Sequence, residues 1–296
     1  VGDKPGDPVF GVSDLLIHLS GEQLEKKAAK VIEGENLDLL IGSIPMQTED
    51  EKVKEKVKAN IMNLLSKEYG IEEEDFLSAE LEIVPSGKSR DCGFDRSMIL
   101  GYGQDDKVCA LTSLFAMLEA ENPERTGCCI LADKEEIGNM GATGMQSSFF
   151  EDMVAEVLAL TGEDSPVKVR RALRNSCMLS SDVSAAYDPL YPEVFEKKNT
   201  AYFGRGLVLN KYTGSRGKNG TSDANAEYVA FQTAELGKVD QGGGGTIAYI
   251  LALYGMNVID SGVAVLNMHA PWEATSKADV YEAYRGYKAF VEGASL

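Results

Sequence analysis

Glu135 and Glu136 stand side by side where the apolar run Cys128-Cys129-Ile130-Leu131-Ala132 breaks into Asp133-Lys134-Glu135-Glu136-Ile137-Gly138. Neighbouring side chains on a strand point to opposite faces, but a loop at a strand end can aim both into one pocket. Two carboxylates there can divide labour. One holds a divalent cation while the other, kept off the cation, takes a proton from an attacking water. The competing reading is a solvated acidic loop, which a chain with 47 Asp and Glu against 29 Lys and Arg supplies freely.

Other predicted strand ends carry matching donors. Asp105-Asp106 follow Ile99-Leu100-Gly101-Tyr102-Gly103, Asp182 follows Ser176 to Ser181, and His269 follows Val263 to Met268. Four strand ends supplying Asp, Glu, Asp and His make a plausible ligand set for a hard-to-borderline divalent metal. Zinc takes mixed carboxylate and imidazole ligands at roughly 2.0 to 2.2 Å, and a carboxylate can bridge two ions about 3.5 to 4 Å apart. Taken singly, each Asp can equally cap a helix or close a turn. His269 can equally be a hydrogen-bonded core histidine, and packing accounts for His18 within Leu15-Leu16-Ile17-His18-Leu19.

The elements that would position these residues fall into two regions. Residues 9 to about 85 are mixed: Leu37 to Ile44 reads as a buried strand, 49–69 as a charged helix with Val53, Val57, Ile61 and Leu64 on one face, and Phe76 to Val84 as an alternating strand. Pro85-Ser86-Gly87 marks a turn and a change of composition, so domains of 1–85 and 86–296 are expected. Beyond it, strands at 97–102, 127–132, 176–181, 206–211 and 257–260 alternate with helices at 107–120, 147–161, 223–236, 245–254 and 276–292. That order implies an α/β sheet with flanking helices, whose functional residues gather at strand ends.

Composition narrows the function. At 296 residues and 44% hydrophobic the chain can bury a sizeable core. Its formal charge of -18 argues against nucleic acid or an anionic membrane surface as partner. There is no apolar stretch long enough to span a bilayer and no signal peptide, and five cysteines, two of them adjacent in an apolar run, read as buried reduced thiols; a cytoplasmic location is expected.

In chain order, Gln104-Asp105-Asp106-Lys107, Asp133-Lys134-Glu135-Glu136-Ile137-Gly138, Ser180-Ser181-Asp182-Val183-Ser184 and Asn267-Met268-His269-Ala270 resemble motifs of the aspartyl aminopeptidase and aminopeptidase I family of zinc exopeptidases. Gly242 to Ile247 is similar to its Gly-Thr-Ile segment, and Val9 to Leu19 to the opening of its inserted dimerisation domain. The likeness runs from about residue 8 to 292. It implies a zinc-exopeptidase-like mixed sheet with flanking helices plus a smaller dimerisation domain, a peptide substrate, and a homo-oligomer built from dimers, up to a tetrahedral dodecamer. It further implies that Asp105 bridges two divalent ions, zinc first with cobalt and manganese compatible, that Glu136 and His269 complete one ion's protein ligands, and that Asp182 binds the other. Glu135 would be the general base. His18 matches a histidine that reaches a neighbouring subunit's site to stabilise the tetrahedral intermediate, a role worth roughly 2.7 to 4 kcal/mol. Lys211, Gly244 and Thr246 match substrate-side positions.

Two departures stand out. The family's earlier His-Thr-Asp-Ser-like segment, which carries a histidine for the second ion, has no counterpart; with Val1 and a loop-like Gly2 to Pro8 at the start, an N-terminally truncated chain is expected. The histidine that many members carry two residues after the valine of the Asp182 motif is also missing. The choice of N-terminal residue stays open. Two other classes compete: a phosphate-cradling loop at Gly242 to Thr246, which lacks the Lys-Ser or Lys-Thr ending of a P-loop, and a structural subunit that keeps the fold without catalysis.

Overall fold

The computed structural model describes residues 1–215, 218–221, 230–238, 241–243 and 247–294. They form two compact units, Val1–Ser86 and Gly87–Leu296.

In the first unit β1 (Gly11–Val12) pairs antiparallel with β2 (Leu39–Leu40), and α1 (Gly21–Leu24) and α2 (Lys56–Tyr69) are joined by short 3-10 turns. The α2 helix stops at Gly70, whose φ of +68° suits glycine, with Ile71 N–H closing back on the Leu65 carbonyl. It begins seven residues later than the expected 49. Thr48 and Asp50 side chains accept from the Asp50 and Lys52 amides, local bonds that compete with helix. The expected strand Leu37 to Ile44 shrinks to two residues and is not buried. Phe76 to Val84 forms no strand: Glu73–Leu77 is a 3-10 turn closed by reciprocal Glu72 and Asp75 caps. The common cause is lack of cover, since no apolar side chain of this unit is buried.

The second unit follows the expected alternation more closely. In chain order it contains β3 (Arg90–Cys92), β4 (Met98–Gly101), α3 (Gln104–Glu119), α4 (Phe149–Leu160), α5 (Pro166–Arg174), β5 (Cys177–Ser181), β6 (Ser184–Ala185) and β7 (Leu207–Asn210). Then come β8 (Tyr212–Ser215), β9 (Lys218–Thr221), β10 (Phe231–Thr233), α6 (Ala248–Ala252), β11 (Asn257–Gly262), β12 (Ala264–Leu266), β13 (Glu273–Ser276) and α7 (Lys277–Gly293). One sheet runs β3-β4-β13-β12-β6, a second β10-β7-β11-β5, and β8 pairs with β9.

Several expectations are corrected here. The run 127–132 has no strand partner among the described residues, and only Asp133 bridges to Gly144; Leu131 and Cys128 are consequently exposed, so the adjacent thiols are not both buried. No disulfide links any of the five cysteines. Of the expected helix 223–236, residues 222–229 lie outside the described residues, and Phe231–Thr233 instead pairs parallel with β7, where ladder bonds outweigh helical pattern. Of the expected helix 245–254, residues 245 and 246 lie outside the described residues, and helix forms over Ala248–Ala252. The α5 helix was not expected, although Ser165-Pro166 is a start signal and Val169 and Leu173, four apart, are buried.

The main core lies between α3, α7 and the strands: Val108, Cys109 and Ala116 from α3 and Ala283 and Tyr287 from α7 pack on Val183, Leu207, Leu209, Ile259, Val263 and Val265. Two chain segments cross it together. β5 pairs parallel with β11, β6 pairs parallel with β12, and both segments change sheet at the same level, at Asp182-Val183 and Gly262-Val263. The Asp182 N–H donates to the Ser261 carbonyl at 2.9 Å, and the Ser181 hydroxyl donates to Tyr287 Oη at 2.7 Å, tying the crossing to α7. A Cβ on Gly262 would lie 1.7 Å from the Asp182 carbonyl oxygen. Gly262→Ala is therefore expected to cost about 1–3 kcal/mol in denaturant unfolding, whereas Gly293→Ala, which meets nothing within 4 Å, should stay within about 0.5 kcal/mol.

Candidate metal centre

Four loops at strand ends converge. Asp105 and Asp106 open α3 just after β4; both depart from helical backbone angles and are joined by a cis peptide bond. Asp182 leaves β5, His269 lies between β12 and β13, and Glu136 comes from the turn after 127–132. That turn is tied down locally: Asn139 N–H donates to the Lys134 carbonyl at 2.7 Å, Gly138 N–H to the Glu135 carbonyl at 2.9 Å, and the Gln146 amide to the Gly138 carbonyl at 2.7 Å. Gly144 has no room for a side chain, since a Cβ there would lie 2.2 Å from the Asn139 carbonyl oxygen.

Two donor groups result. In one, ligand atoms of Asp105, Glu136 and His269 all lie within 4.8 Å of one another; in the other, those of Asp105, Asp106 and Asp182 do. His269 Nε2 is 2.9 Å from Asp105 Oδ2 and 3.4 Å from Glu136 Oε1. The Asp105 side chain is only 7% exposed, whereas Glu136 and His269 are 60% and 64% exposed, so the shared carboxylate sits at the floor and its two companions at the mouth. Glu135 belongs to neither group and is half-buried beside them.

Two participants were not assigned roles from sequence. Asp106 completes the second donor group while its Oδ1 accepts from the Val183 N–H at 3.2 Å. Glu273, 2% exposed, accepts from the Asp105 N–H at 3.0 Å and from the His269 N–H at 2.8 Å. Its signal was a carboxylate opening a strand of otherwise small residues, Glu-Ala-Thr-Ser. The remaining sequence candidates belong to neither donor group among the described residues. His18 is exposed in a 3-10 turn (Ile17–Leu19) of the first unit, Lys211 is half-buried directly after β7, and Gly244 and Thr246 lie outside the described residues.

The electrostatics call for a cation. Burial first, then the charge of Glu136, pushes Asp105 up to about 7, with His269 opposing. Burial and the neighbouring Asp182 and Asp105 push Asp106 up to about 9, and burial with Glu135 and Asp105 pushes Asp182 up to about 8. Burial and Glu136 also raise Glu135 above the ordinary carboxylate value. Carboxylates crowded this way hold protons in place of positive charge. The donors fit divalent ions: oxygen atoms in both groups, an imidazole in one, and an exposed side left for a further ligand.

A cluster of this kind on a mixed sheet with flanking helices defines an α/β protein with two candidate metal-binding groups. The chain belongs to the aminopeptidase I zinc metalloprotease family (M18), which matches residues 2–291. It is 64% identical over 303 residues to a probable M18 family aminopeptidase 1 of Clostridium acetobutylicum, covering 98% of this chain and 65% of that protein. Against the Thermotoga maritima relative it is 46% identical over 305 residues, covering 99% and 66%. The chain thus spans about two thirds of the length of these relatives. The crystal structure of aminopeptidase I from C. acetobutylicum superposes with a TM-score of 0.87 over 98% of this chain and 65% of that one. The crystal structure of the M18 family aminopeptidase from T. maritima, 44% identical, gives 0.91 over 99% and 67%. An S. cerevisiae mApe1 dodecamer structure, 20% identical with a TM-score of 0.58 over 88% of this chain and 60% of that one, shares the fold. Among the described residues no helix is long and apolar enough to cross a membrane.

The raised carboxylates set the sign of a pH effect. Between about 4, the unfolded value, and the folded values the native state holds protons that the unfolded chain releases, so its advantage is full below about 4 and is lost as pH rises through about 7 to 9. The chelated protein should melt at progressively lower temperature between pH 5.5 and 8.5. Asp182→Asn should flatten that slope, and added zinc should reverse it by an amount that grows with pH; scanning calorimetry with and without chelator provides the check.

Proposed function

We propose that the protein is a metal-dependent aminopeptidase that removes N-terminal residues from peptides. The convergence of Asp105, Glu136, Asp182 and His269 from four distant stretches carries this reading, and family membership supports it. Bound there, two divalent ions, zinc first with cobalt or manganese suiting the same donors, would polarise the scissile carbonyl, acidify water and anchor the substrate's free α-amino group. Asp105, Glu136 and His269 would hold one ion, and Asp105 with Asp182 would hold the other.

Glu135 stands outside both donor groups, so its carboxylate is free of ligand duty. It accepts the proton of the attacking water and passes it to the leaving amine. Glu136 and His269 lie on the exposed side, where a peptide end can approach. Lys211, Gly244 and Thr246 contact substrate in this scheme, and His18 of a neighbouring copy donates to the developing oxyanion. Val1–Ser86 supplies the dimer contact: Leu15, Leu16, Ile17 and Leu19 are all exposed there, an apolar surface that suits a second copy. The dodecamer of the S. cerevisiae mApe1 structure suggests the larger assembly. Unpaired thiols favour the cytoplasm.

A second reading, a subunit that keeps the fold and oligomer contacts without catalysis, draws on the Asp105–Asp106–Asp182 group, which contains no imidazole. Amino acid p-nitroanilides separate the two. The full-length protein should release p-nitroaniline with zinc or cobalt and lose this with chelator, and Glu135→Gln should keep its metal content while losing about 10²–10⁴-fold in kcat. No release with any of the three metals would leave only the structural subunit. Ile17→Asp should lower the mass seen by sedimentation, and an unchanged mass would remove the first unit from the interface.

A further inference from the structure

We infer that Glu273 is a positioning residue for the ion held by Asp105, Glu136 and His269, its single buried carboxylate fixing the two backbone segments that present Asp105 and His269 to each other. The inference rests on the two-ion reading and adds to it a group that touches neither metal nor substrate. Strand polarity puts it there. β13 lies between β4 and β12 and runs antiparallel to both, with Glu273 opposite Gly101 and Ala274 opposite Leu266. The start of β13 therefore sits beside the ends of the two strands whose following loops carry Asp105 and His269. Each Glu273 oxygen accepts one backbone N–H, Oε2 from Asp105 and Oε1 from His269.

The receiving loop needs such a hold. His269 and Asn267 adopt φ values of +67° and +59°, the left-handed region that L residues rarely occupy, and the turn is otherwise closed by Ala270 N–H donating to the Asn267 carbonyl at 2.9 Å. Charge-assisted bonds to a carboxylate are stronger than neutral ones and, at 2% exposure, water does not compete for them. Side chains that orient ligands in this way commonly tune metal affinity 10–100-fold.

Glu273→Gln keeps the shape but turns an amide NH2 toward one of the two N–H donors, so one arm must fail. Cobalt titration of the protein without peptide reads the result by calorimetry and by the visible ligand-field bands. The expected outcome is about 10–100-fold weaker binding in the step assigned to Asp105, Glu136 and His269, with altered bands. Asp279→Asn is the structural control: that fully buried carboxylate also holds two backbone N–H groups, Gly204 at 2.8 Å and Gly206 at 2.7 Å, in a segment without ligands. Should E273Q not fold, Glu273→Asp, which is one methylene shorter and can reach only one N–H, gives the same readout. Cobalt affinity and bands unchanged from wild type, or changed no more than in D279N, would overturn the inference. Wild-type protein that binds no cobalt would instead overturn the two-ion reading.

Discussion

The structure depends on crowding carboxylates where water screens them poorly. Asp105, Asp106 and Asp182 share one neighbourhood, and Asp105 is nearly buried. Without positive charge each holds its proton well above the ordinary range, through loss of hydration and through the others. Such an arrangement destabilises a fold unless something returns the lost solvation. Backbone donors return part of it, as where Val183 N–H reaches Asp106, and the rest calls for a cation. The paired segments 177–186 and 257–266, the α3 start and the Glu273 clamp hold like charges together against their repulsion.

The elements that do this are the best packed in the protein. α3 begins beside Asp105, the carboxylate common to both donor groups, and buries Val108, Cys109, Thr112 and Ala116, so the main core reaches directly beneath the site. α7 braces the opposite side through Tyr287, which bonds to Ser181 next to Asp182 and to the Ser261 carbonyl. By contrast, Glu136 and Glu135 sit on a loop stabilised by its own turn bonds rather than by a strand ladder, since 127–132 pairs with no strand among the described residues. The floor of the site is built from core, and its mouth from loop.

Much of this was legible in the sequence. Carboxylates and a histidine placed where apolar runs stop pointed to the four convergent stretches, because strand ends in an α/β layout face one edge, while the family resemblance singled out Asp105 and Glu136 within their pairs. The strands expected at 97–102, 176–181 and 206–211 and the helices expected at 107–120 and 276–292 correspond to β4, β5, β7, α3 and α7. The failures have physical causes. The run 127–132 has strand chemistry but lacks a partner; Leu37 to Ile44 has apolar content but no cover; Phe231–Thr233 took β pairing over a helical pattern because the edge of β7 was available. Asp106 and Glu273 escaped because their importance lies in which backbone amides they meet, and that is set by strand polarity, not by neighbours in sequence.

Charge balance separates the carboxylates of the two donor groups from those beside them. Asp105, Asp106, Asp182 and Glu136 carry a formal total of four negative charges when ionised, and two divalent cations match it. Glu135, outside both groups, adds charge beyond that balance, as does the buried Glu273. A surplus carboxylate in a half-buried site keeps an appetite for a proton, as its elevated pKa direction shows, which is the property a base needs and a ligand gives up. In the proposed two-ion reading, the adjacency of Glu135 and Glu136 would let one backbone turn deliver a ligand carboxylate and, next to it, a carboxylate left free to take a proton.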